Sequence, residues 1–158
     1  MRGKKSVKRV ITPDPKYGSV TLAKFINYVM KKGKKTVAQN VMYSALDNIV
    51  AAGHKDPLKL FEEAIKIIQP QVEVRSKRVG GANYQVPLPV RGERQDALAF
   101  RWIIGAARAK KGQPMDKKLA TVLIETSQGL GDAIKKRDDV HRMAEANKAF
   151  AHFARFAR

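Results

Sequence analysis

Residues 72–90 read VEVRSKRVGGANYQVPLPV, and this stretch decides the fold because it interrupts a series of helical patterns with strand-like sequence. A turn is predicted at residues 79–82, Val-Gly-Gly-Ala, since glycine tolerates the positive φ angles of tight hairpin turns. The two arms are then expected to pair as antiparallel strands. Strand alternation predicts one face with Glu73, Arg75, Lys77, Tyr84, Val86 and Leu88, and an opposite face with Val72, Val74, Arg78, Asn83 and Gln85.

Neither face of this hairpin is fully apolar. Pro87 and Pro89 cannot donate to a β-ladder, which confines their strand to the edge of a sheet. A lone two-stranded hairpin is marginally stable in water. We therefore expect an arm that is held by a ligand rather than a part of the core.

Three helices are predicted before the hairpin. Ser19 is the expected N-cap of the first, which should end near Lys32. The second is expected to begin with a capping box at residues 36–39, a Thr-x-x-Gln pattern, and to end before Gly53. Asp56 is the expected N-cap of the third, with Pro57 at its first position.

Three more helices are predicted after the hairpin, over residues 95–111, 116–128 and 133 to about 151. The expected fold class is mainly α: a six-helix bundle with one protruding two-stranded β-hairpin, residues 72–90, between helices three and four. Residues 1–18 are expected to form a basic N-terminal arm, and residues 19–158 a single helical domain.

The charge of the chain is extreme and unevenly placed. The formal net charge is +18 over 158 residues. Residues 1–35 carry eleven lysines and arginines against one acid, whereas residues 36–70 carry three against four. This concentration is typical of a protein that binds a polyanion.

Several classes of function are excluded or disfavoured by composition. The chain has no cysteine, so it can form neither a disulfide nor a Cys-ligated metal site. No secretory or membrane-spanning apolar segment is recognisable, and we expect a reducing, cytoplasmic location. The three histidines are far apart, and no paired acids or nucleotide loop suit catalysis. We expect no catalytic residue, no metal and no cofactor.

The fourth helix carries a stripe of arginines. Arg94, Arg101 and Arg108 recur at i+7 and lie within about 40° of one another on a helix whose other residues are mostly apolar. Phosphate contact is favoured, because guanidinium groups match phosphate geometry. The alternative is a solvated face with ion pairs to Glu93 and Asp96.

Two further segments have alternative interpretations. Helix one is predicted to present a polar face opposite its apolar stripe, either as a nucleic-acid contact or as a solvated face: Lys24, Asn27, Lys31 and Lys35. The aromatic tail could stack on bases or pack on the protein: Phe150, Phe153 and Phe156, with Arg155 and Arg158.

The chain resembles a known family over essentially its whole length. The segments that carry the resemblance are FINYVMKKGKKTVAQ (25–39), EVRSKRVGGANYQVP (73–87), LAFRW (98–102) and KKRDDVHRMAEANKAFAHF (135–153). They are similar to the bacterial form of small-subunit ribosomal protein seven. The resemblance implies a six-helix domain with a protruding hairpin. It also implies a primary binder of small-subunit ribosomal RNA that nucleates assembly of the subunit head.

The resemblance further implies a position near the exit-site transfer RNA and the messenger path, beside neighbouring head and platform proteins, and no membrane. The candidate RNA-binding residues are the cations of the arm, helix one, the hairpin and helix four, together with one tyrosine: Lys4, Lys5, Lys8, Arg9, Lys24, Lys31, Lys34, Lys35, Arg75, Lys77, Arg78, Tyr84, Arg91, Arg94, Arg101, Arg108, Lys110 and Lys111.

Two other functions are weighed against RNA binding. A DNA-bending architectural protein also combines helices with basic β-arms, but its arms need an apolar wedge at the tip, and this tip is Gly80-Gly81. An RNA-modifying enzyme would need a cofactor loop that the sequence lacks. Charge alone indicates that the ligand is a polyanion. The choice of RNA as that ligand depends mainly on the resemblance.

Overall fold

The computed structural model describes residue 3 and residues 9–156, with the backbone alone for Val79 and for residues 155–156. Within these residues the chain forms six α-helices, one two-stranded sheet and a terminal 3-10 helix. The elements in chain order are α1 (Val20–Val29), α2 (Lys35–Ala51), α3 (Pro57–Ile68), β1 (Val72–Val79), β2 (Ala82–Pro89), α4 (Glu93–Ala109), α5 (Met115–Ser127), α6 (Asp132–Ala146) and the 3-10 helix (Lys148–Phe156). The predicted fold class is confirmed.

The core lies among α1 to α5 and the first turn of α6. Three fully buried phenylalanines tie α1, α3 and α4 together. The ring centroid of Phe25 lies 5.2 Å from that of Phe61 and 5.3 Å from that of Phe100, with edge-on geometry in both pairs. Such edge-to-face pairs add about 0.5–1.5 kcal/mol each beyond the burial of apolar area. They fix where α4, which carries the arginine stripe, crosses α1.

Helix α1 ends three residues earlier than the periodicity predicts. Ser19 is the N-cap, and its hydroxyl accepts a hydrogen bond from the Leu22 amide, as expected. Met30 has left the helical conformation, with φ −54° and ψ 136°. Lys32 and Gly33 then take positive φ angles of 53° and 73°. The resulting turn separates α1 from α2 and ends the polar stripe that was predicted to continue to Lys35.

The predicted start of α2 is wrong. The helix begins at Lys35, one residue before Thr36, and the N-cap is Lys34 without a side-chain hydrogen bond. The Thr36–Gln39 capping box therefore does not form, because Thr36 already lies inside the first turn. At α3 the N-cap is Asp56 and Pro57 lies in the first turn, as predicted. The Asp56 carboxylate, however, makes no capping hydrogen bond.

The hairpin has the predicted turn and register. Glu73 lies opposite Leu88, Arg75 opposite Val86, and Lys77 opposite Tyr84, which confirms the predicted two faces. The sequence predicts an arm that is held by a ligand rather than a part of the core. No described hairpin residue belongs to the main core cluster, but the stem is also held by the protein itself. Val86 is buried, α6 packs on β1, and the 3-10 helix packs on β2.

The sixth helix is shorter than predicted. It ends at Ala146 rather than near Ala151, and the chain continues as a 3-10 helix from Lys148 to Phe156. The change of helix type allows the chain to turn onto the hairpin. It therefore decides what the aromatic tail contacts.

The start of the described chain is anchored on α2. The buried Asp14 carboxylate accepts hydrogen bonds from the amides of Lys16 and Tyr17, both at 3.1 Å, and from the Tyr43 hydroxyl at 2.7 Å. Burial and this hydrogen bond raise the pKa of Tyr43 to about 12. Residues 14–17 are thus attached to the body.

Candidate nucleic-acid interface

Helix α4 exposes a narrow line of side chains. Arg94, Arg101, Gly105 and Arg108 are exposed, whereas eight residues between positions 97 and 107 are buried. The predicted burial of this helix on nearly all sides is confirmed. Fourteen residues separate the first arginine from the last, so the line runs about 21 Å along the helix axis. Each arginine lies in a different setting.

At the first turn of α4, Arg94 binds the hairpin. Its Nε and Nη2 atoms donate to Glu73 Oε2 at 3.0 and 2.8 Å. Arg75 pairs with the other carboxylate oxygen of Glu73, a residue that is only 7% exposed. We call Glu73, Arg75 and Arg94 the hairpin clamp. The partner of Arg94 is therefore not Glu93 or Asp96, the two acids that the sequence indicated, but a residue of β1.

A surface cleft adjoins the hairpin clamp. It is lined by all three clamp residues and by the exposed Arg91. Three arginines and one glutamate thus line the cleft, so the lining of the cleft carries more positive than negative charge. The cleft can accept an anion at its rim while Glu73 holds two of the arginines in place.

In the middle of α4, Arg101 lies over an aromatic ring. Its guanidinium carbon is 5.9 Å from the centroid of Tyr28, and the Tyr28 ring meets Phe100 edge-on at 5.4 Å. Lys24 and the exposed Arg9 line an adjoining depression, together with the acids Glu93 and Asp96. This part of the surface mixes charges of both signs.

At the last turn of α4, Arg108 meets the turn between α1 and α2. Arg108, Lys31 and Lys34 surround a pocket of about 320 Å³ whose other walls are apolar: Val29, Val37, Ala38, Val41 and Met115. We call it the cationic pocket. No acidic side chain from the described part of the chain lines it. Here the cations have no carboxylate within ion-pair distance among the residues that the structure describes.

The predicted lysine stripe of helix one is divided by the structure. Lys24 lies half-buried on α1, Lys31 follows the helix, and Lys35 is the first residue of α2. A continuous helical face is therefore wrong. The turn at Lys32 and Gly33 instead brings Lys31 and Lys34 to Arg108.

In the hairpin, the candidate residue beside the tip is exposed, whereas those one position closer to the stem contact the 3-10 helix. Arg78 beside the tip is exposed. The Lys77 ammonium donates to the Phe153 carbonyl at 3.3 Å. Tyr84 lies 5.2 Å from Phe150 and 5.1 Å from Phe153, measured between ring centroids. Of the two interpretations of the aromatic tail, packing on the protein describes these two phenylalanines.

The remaining candidates fall into three sets. The Lys110 ammonium binds Glu125 at 2.6 Å and is partly buried, so it links α4 to α5. Lys111 is exposed. Lys4, Lys5 and Lys8 lie outside the described residues.

Two residues of this surface were missed from the sequence. Glu73 is the sole acid in residues 71–91, and that isolation could have marked it as a partner for arginine. Tyr28 was not singled out, because one tyrosine on a helix face carries no signal until its neighbours are known. Both are positioned by contacts between elements distant in sequence.

Neither a cluster of metal ligands nor a helix that could span a membrane is found among the described residues. Within 9–156 and residue 3, no group of three or more His, Asp or Glu side chains could hold a metal ion. Over the same residues, no helix has the length and apolar character needed to cross a membrane.

Comparison with known proteins identifies the family. The model of the family described as ribosomal protein S7p/S5e matches residues 1–148. The chain is 56% identical over 146 residues to small ribosomal subunit protein uS7 of Cellvibrio japonicus, covering 92% of this chain and 94% of that protein. It is 54% identical over 153 residues to the protein of the same name from Thermotoga maritima, covering 97% and 99%. The chain therefore belongs to the ribosomal protein S7p/S5e family.

Proposed function

We propose that the chain is a structural RNA-binding protein of the small ribosomal subunit, in the cytoplasm, without enzymatic activity. Its relatives are named as small-subunit ribosomal proteins. The observation that carries RNA binding is the exposed arginine line of α4, which connects the hairpin clamp to the cationic pocket along one helix. A line of cations about 21 Å long matches the spacing of several phosphates along a backbone.

The domain organisation is part of this proposal. Residues 1–18 act as a basic arm whose last residues are attached to α2 through Asp14, and residues 19–158 act as one RNA-binding domain with the hairpin extended from it. The exposed tip, Gly80 and Gly81 with φ 57° and 90°, suits close approach to a nucleic-acid backbone. It offers no apolar wedge of the kind that architectural proteins insert between DNA bases.

The proposal extends to the position of the chain within the subunit, and the family resemblance supports this part. We propose that the chain is a primary binder of small-subunit ribosomal RNA that nucleates assembly of the head. The chain then lies near the exit-site transfer RNA and the messenger path, and head and platform proteins are its neighbours. Crosslinking mass spectrometry on assembled subunits, with a photoreactive residue in place of Arg78, tests this arrangement. Crosslinks confined to the large subunit would refute it.

Salt dependence tests RNA binding itself. Six or more phosphate contacts give a slope of about −4 or steeper in a plot of log affinity against log salt. The assay is filter binding of the full chain to a transcript of small-subunit ribosomal RNA. Binding that is unchanged between low and high salt contradicts the proposal. Equal affinity for duplex DNA of matched length favours the architectural function instead.

A charge-matched control separates a defined surface from net charge. Lys55 and Lys59 are exposed, lie before or on α3 and line none of the clefts beside the arginine line. Changing one of them to Gln should leave the salt slope nearly unchanged. Changing Arg101 or Arg108 to Gln should make it shallower by about one unit. Equal effects in both sets would mean that only the total charge matters.

A further inference from the structure

The cationic pocket has an apolar interior. Val29 and Ala38 are 8% and 4% exposed and form its floor, and Val41 and Met115 are half-buried walls. Val37 stands at the edge and is 57% exposed. Its volume of about 320 Å³ falls at the lower end of the range for small-ligand sites. An exposed valine beside an apolar hollow leaves apolar surface in water, which a ligand could cover.

The rim of the pocket is purely cationic among the described residues. Lys31 and Lys34 come from the turn before α2, and Arg108 from the last turn of α4. A ligand that satisfies both parts must carry an apolar face and an anion at a short, fixed separation. A nucleotide has this composition, because each base is attached through its sugar to phosphates.

The turn that supplies the two lysines is held in an uncommon conformation. Lys32 is the one residue other than glycine with a positive φ, 53°, among the residues that the structure describes. Backbone hydrogen bonds close the turn, from the Lys34 amide to the Lys31 carbonyl at 3.1 Å and from the Lys35 amide to the Gly33 carbonyl at 2.9 Å. A left-handed lysine costs free energy and occurs where the surroundings hold the backbone in place. The backbone that carries the two lysines is thus set before a ligand arrives.

We propose that the cationic pocket takes up one unpaired nucleobase of the ribosomal RNA, with its flanking phosphates on Lys31, Lys34 and Arg108. This inference rests on the RNA-binding function proposed above and adds a defined contact to it. Proteins that recognise RNA commonly bind bases splayed out of a loop or bulge. The apolar walls would contact the face of the base, while the rim neutralises the backbone on either side.

A crosslinking experiment tests the occupant directly. The full chain carries a diazirine amino acid in place of Val37, is bound to a transcript of small-subunit ribosomal RNA and is irradiated. Reverse-transcription stops then report the crosslinked position. We expect one dominant stop, at a nucleotide that chemical probing of the free RNA shows to be unpaired. Stops spread over paired nucleotides, or the absence of any stop while affinity is intact, would overturn the proposal.

A pair of matched valine variants tests the contribution to affinity. Val37→Ala removes two methyl groups from the pocket edge. Each methyl group that the ligand would bury corresponds to roughly a fourfold loss of affinity at most. We expect a threefold to tenfold weaker complex with the salt slope unchanged, since no charge is lost. Val50→Ala is the control, because Val50 lies on the same helix, is 47% exposed and is not part of the pocket.

A filling variant tests the same pocket from the opposite direction. Val41→Phe places a ring in the hollow and should weaken binding at least tenfold, provided that its thermal midpoint matches the wild type. If that variant unfolds, Val37→Ala still decides, because an exposed valine contributes little to the fold. Equal affinities for Val37→Ala and Val50→Ala refute the pocket alone. A wild-type chain without salt-dependent RNA binding refutes the proposed function instead.

Discussion

Arg94→Gln should destabilise the protein, whereas Arg101→Gln on the same helix should not. Arg94 donates two hydrogen bonds to Glu73, and removal leaves a carboxylate that is 7% exposed with Arg75 as its remaining ion-pair partner. A hydrogen bond to a charged group contributes about 1.5–3 kcal/mol. Because the Arg94 side chain is 42% exposed, solvent screening brings the expected loss to the lower end, about 1.5–2 kcal/mol.

The reverse variant, Glu73→Gln, should cost less. It leaves two arginines whose side chains are 56% and 42% exposed and can turn to water. We expect a loss of about 1 kcal/mol, and a coupling free energy of about 1 kcal/mol when both changes are combined. The asymmetry follows from burial, since an unpaired charge is costly only where water cannot reach it.

Thermal or urea unfolding of five proteins measures these differences: the wild type, Arg94→Gln, Glu73→Gln, the double variant and Arg101→Gln. For a chain of this size a loss of 1.5–2 kcal/mol lowers the midpoint by about 3–8 °C. Arg101→Gln, which loses only a contact with the Tyr28 ring at 5.9 Å, should shift stability by about 0.5 kcal/mol or less. Equal stability of Arg94→Gln and Arg101→Gln, or a coupling near zero, would refute the hairpin clamp as a structural ion pair.

Three other outcomes are expected. Replacing residues 75–83 with a short Gly-Ser turn should weaken RNA binding in a filter assay. The helical far-ultraviolet circular dichroism signal should remain, because the hairpin lies outside the main core, and its collapse would contradict this expectation. Phe153→Ala should speed amide hydrogen exchange in β2 by removing the Tyr84 contact, whereas the exposed Arg142→Ala should not. The raised pKa of Tyr43, about 12 against an ordinary 10, favours the neutral phenol in the folded state, so this contribution to stability is complete below pH 10 and lost as pH rises through 12. Urea unfolding between pH 10 and 12 should therefore show a steeper loss for the wild type than for Tyr43→Phe, and parallel curves would contradict that origin.

What the sequence predicts well is what depends on one element at a time. The burial of α4 and the line of its arginines follow from a single helical period, and the hairpin register follows from the glycine turn and strand alternation. Errors occur where the backbone departs from the period. Lys32 with positive φ ends the lysine stripe, and the 3-10 helix after Ala146 carries the tail back to β2.

Contacts between distant elements lay beyond sequence reasoning. Arg94 is 21 residues from Glu73, and two nearer acids, Glu93 and Asp96, were the obvious partners on a helix. The cationic pocket likewise needs Lys31 and Arg108, which are brought together only when α1 packs on α4. Side-chain chemistry identifies such residues as candidates, but the packing of the phenylalanine core decides which of them meet.

The structure divides the candidate cations into two roles, and this division limits how steeply salt can act on binding. Arg75, Arg94 and Lys110 each pair with a carboxylate. The Arg94 pair joins α4 to β1, the Lys110 pair joins the end of α4 to α5, and the Arg75 pair lies within β1. Arg101 and Arg108 of the arginine line and Lys34 of the pocket rim are exposed and have no such partner among the described residues. A cation that already neutralises a carboxylate releases fewer counterions when a phosphate approaches, so it contributes less than one unit to the salt slope. The slope should therefore follow the number of unpaired cations on the surface rather than the net charge of +18. By the same reasoning, Glu73→Gln, which frees Arg75 and Arg94, should make the slope steeper even as it lowers stability.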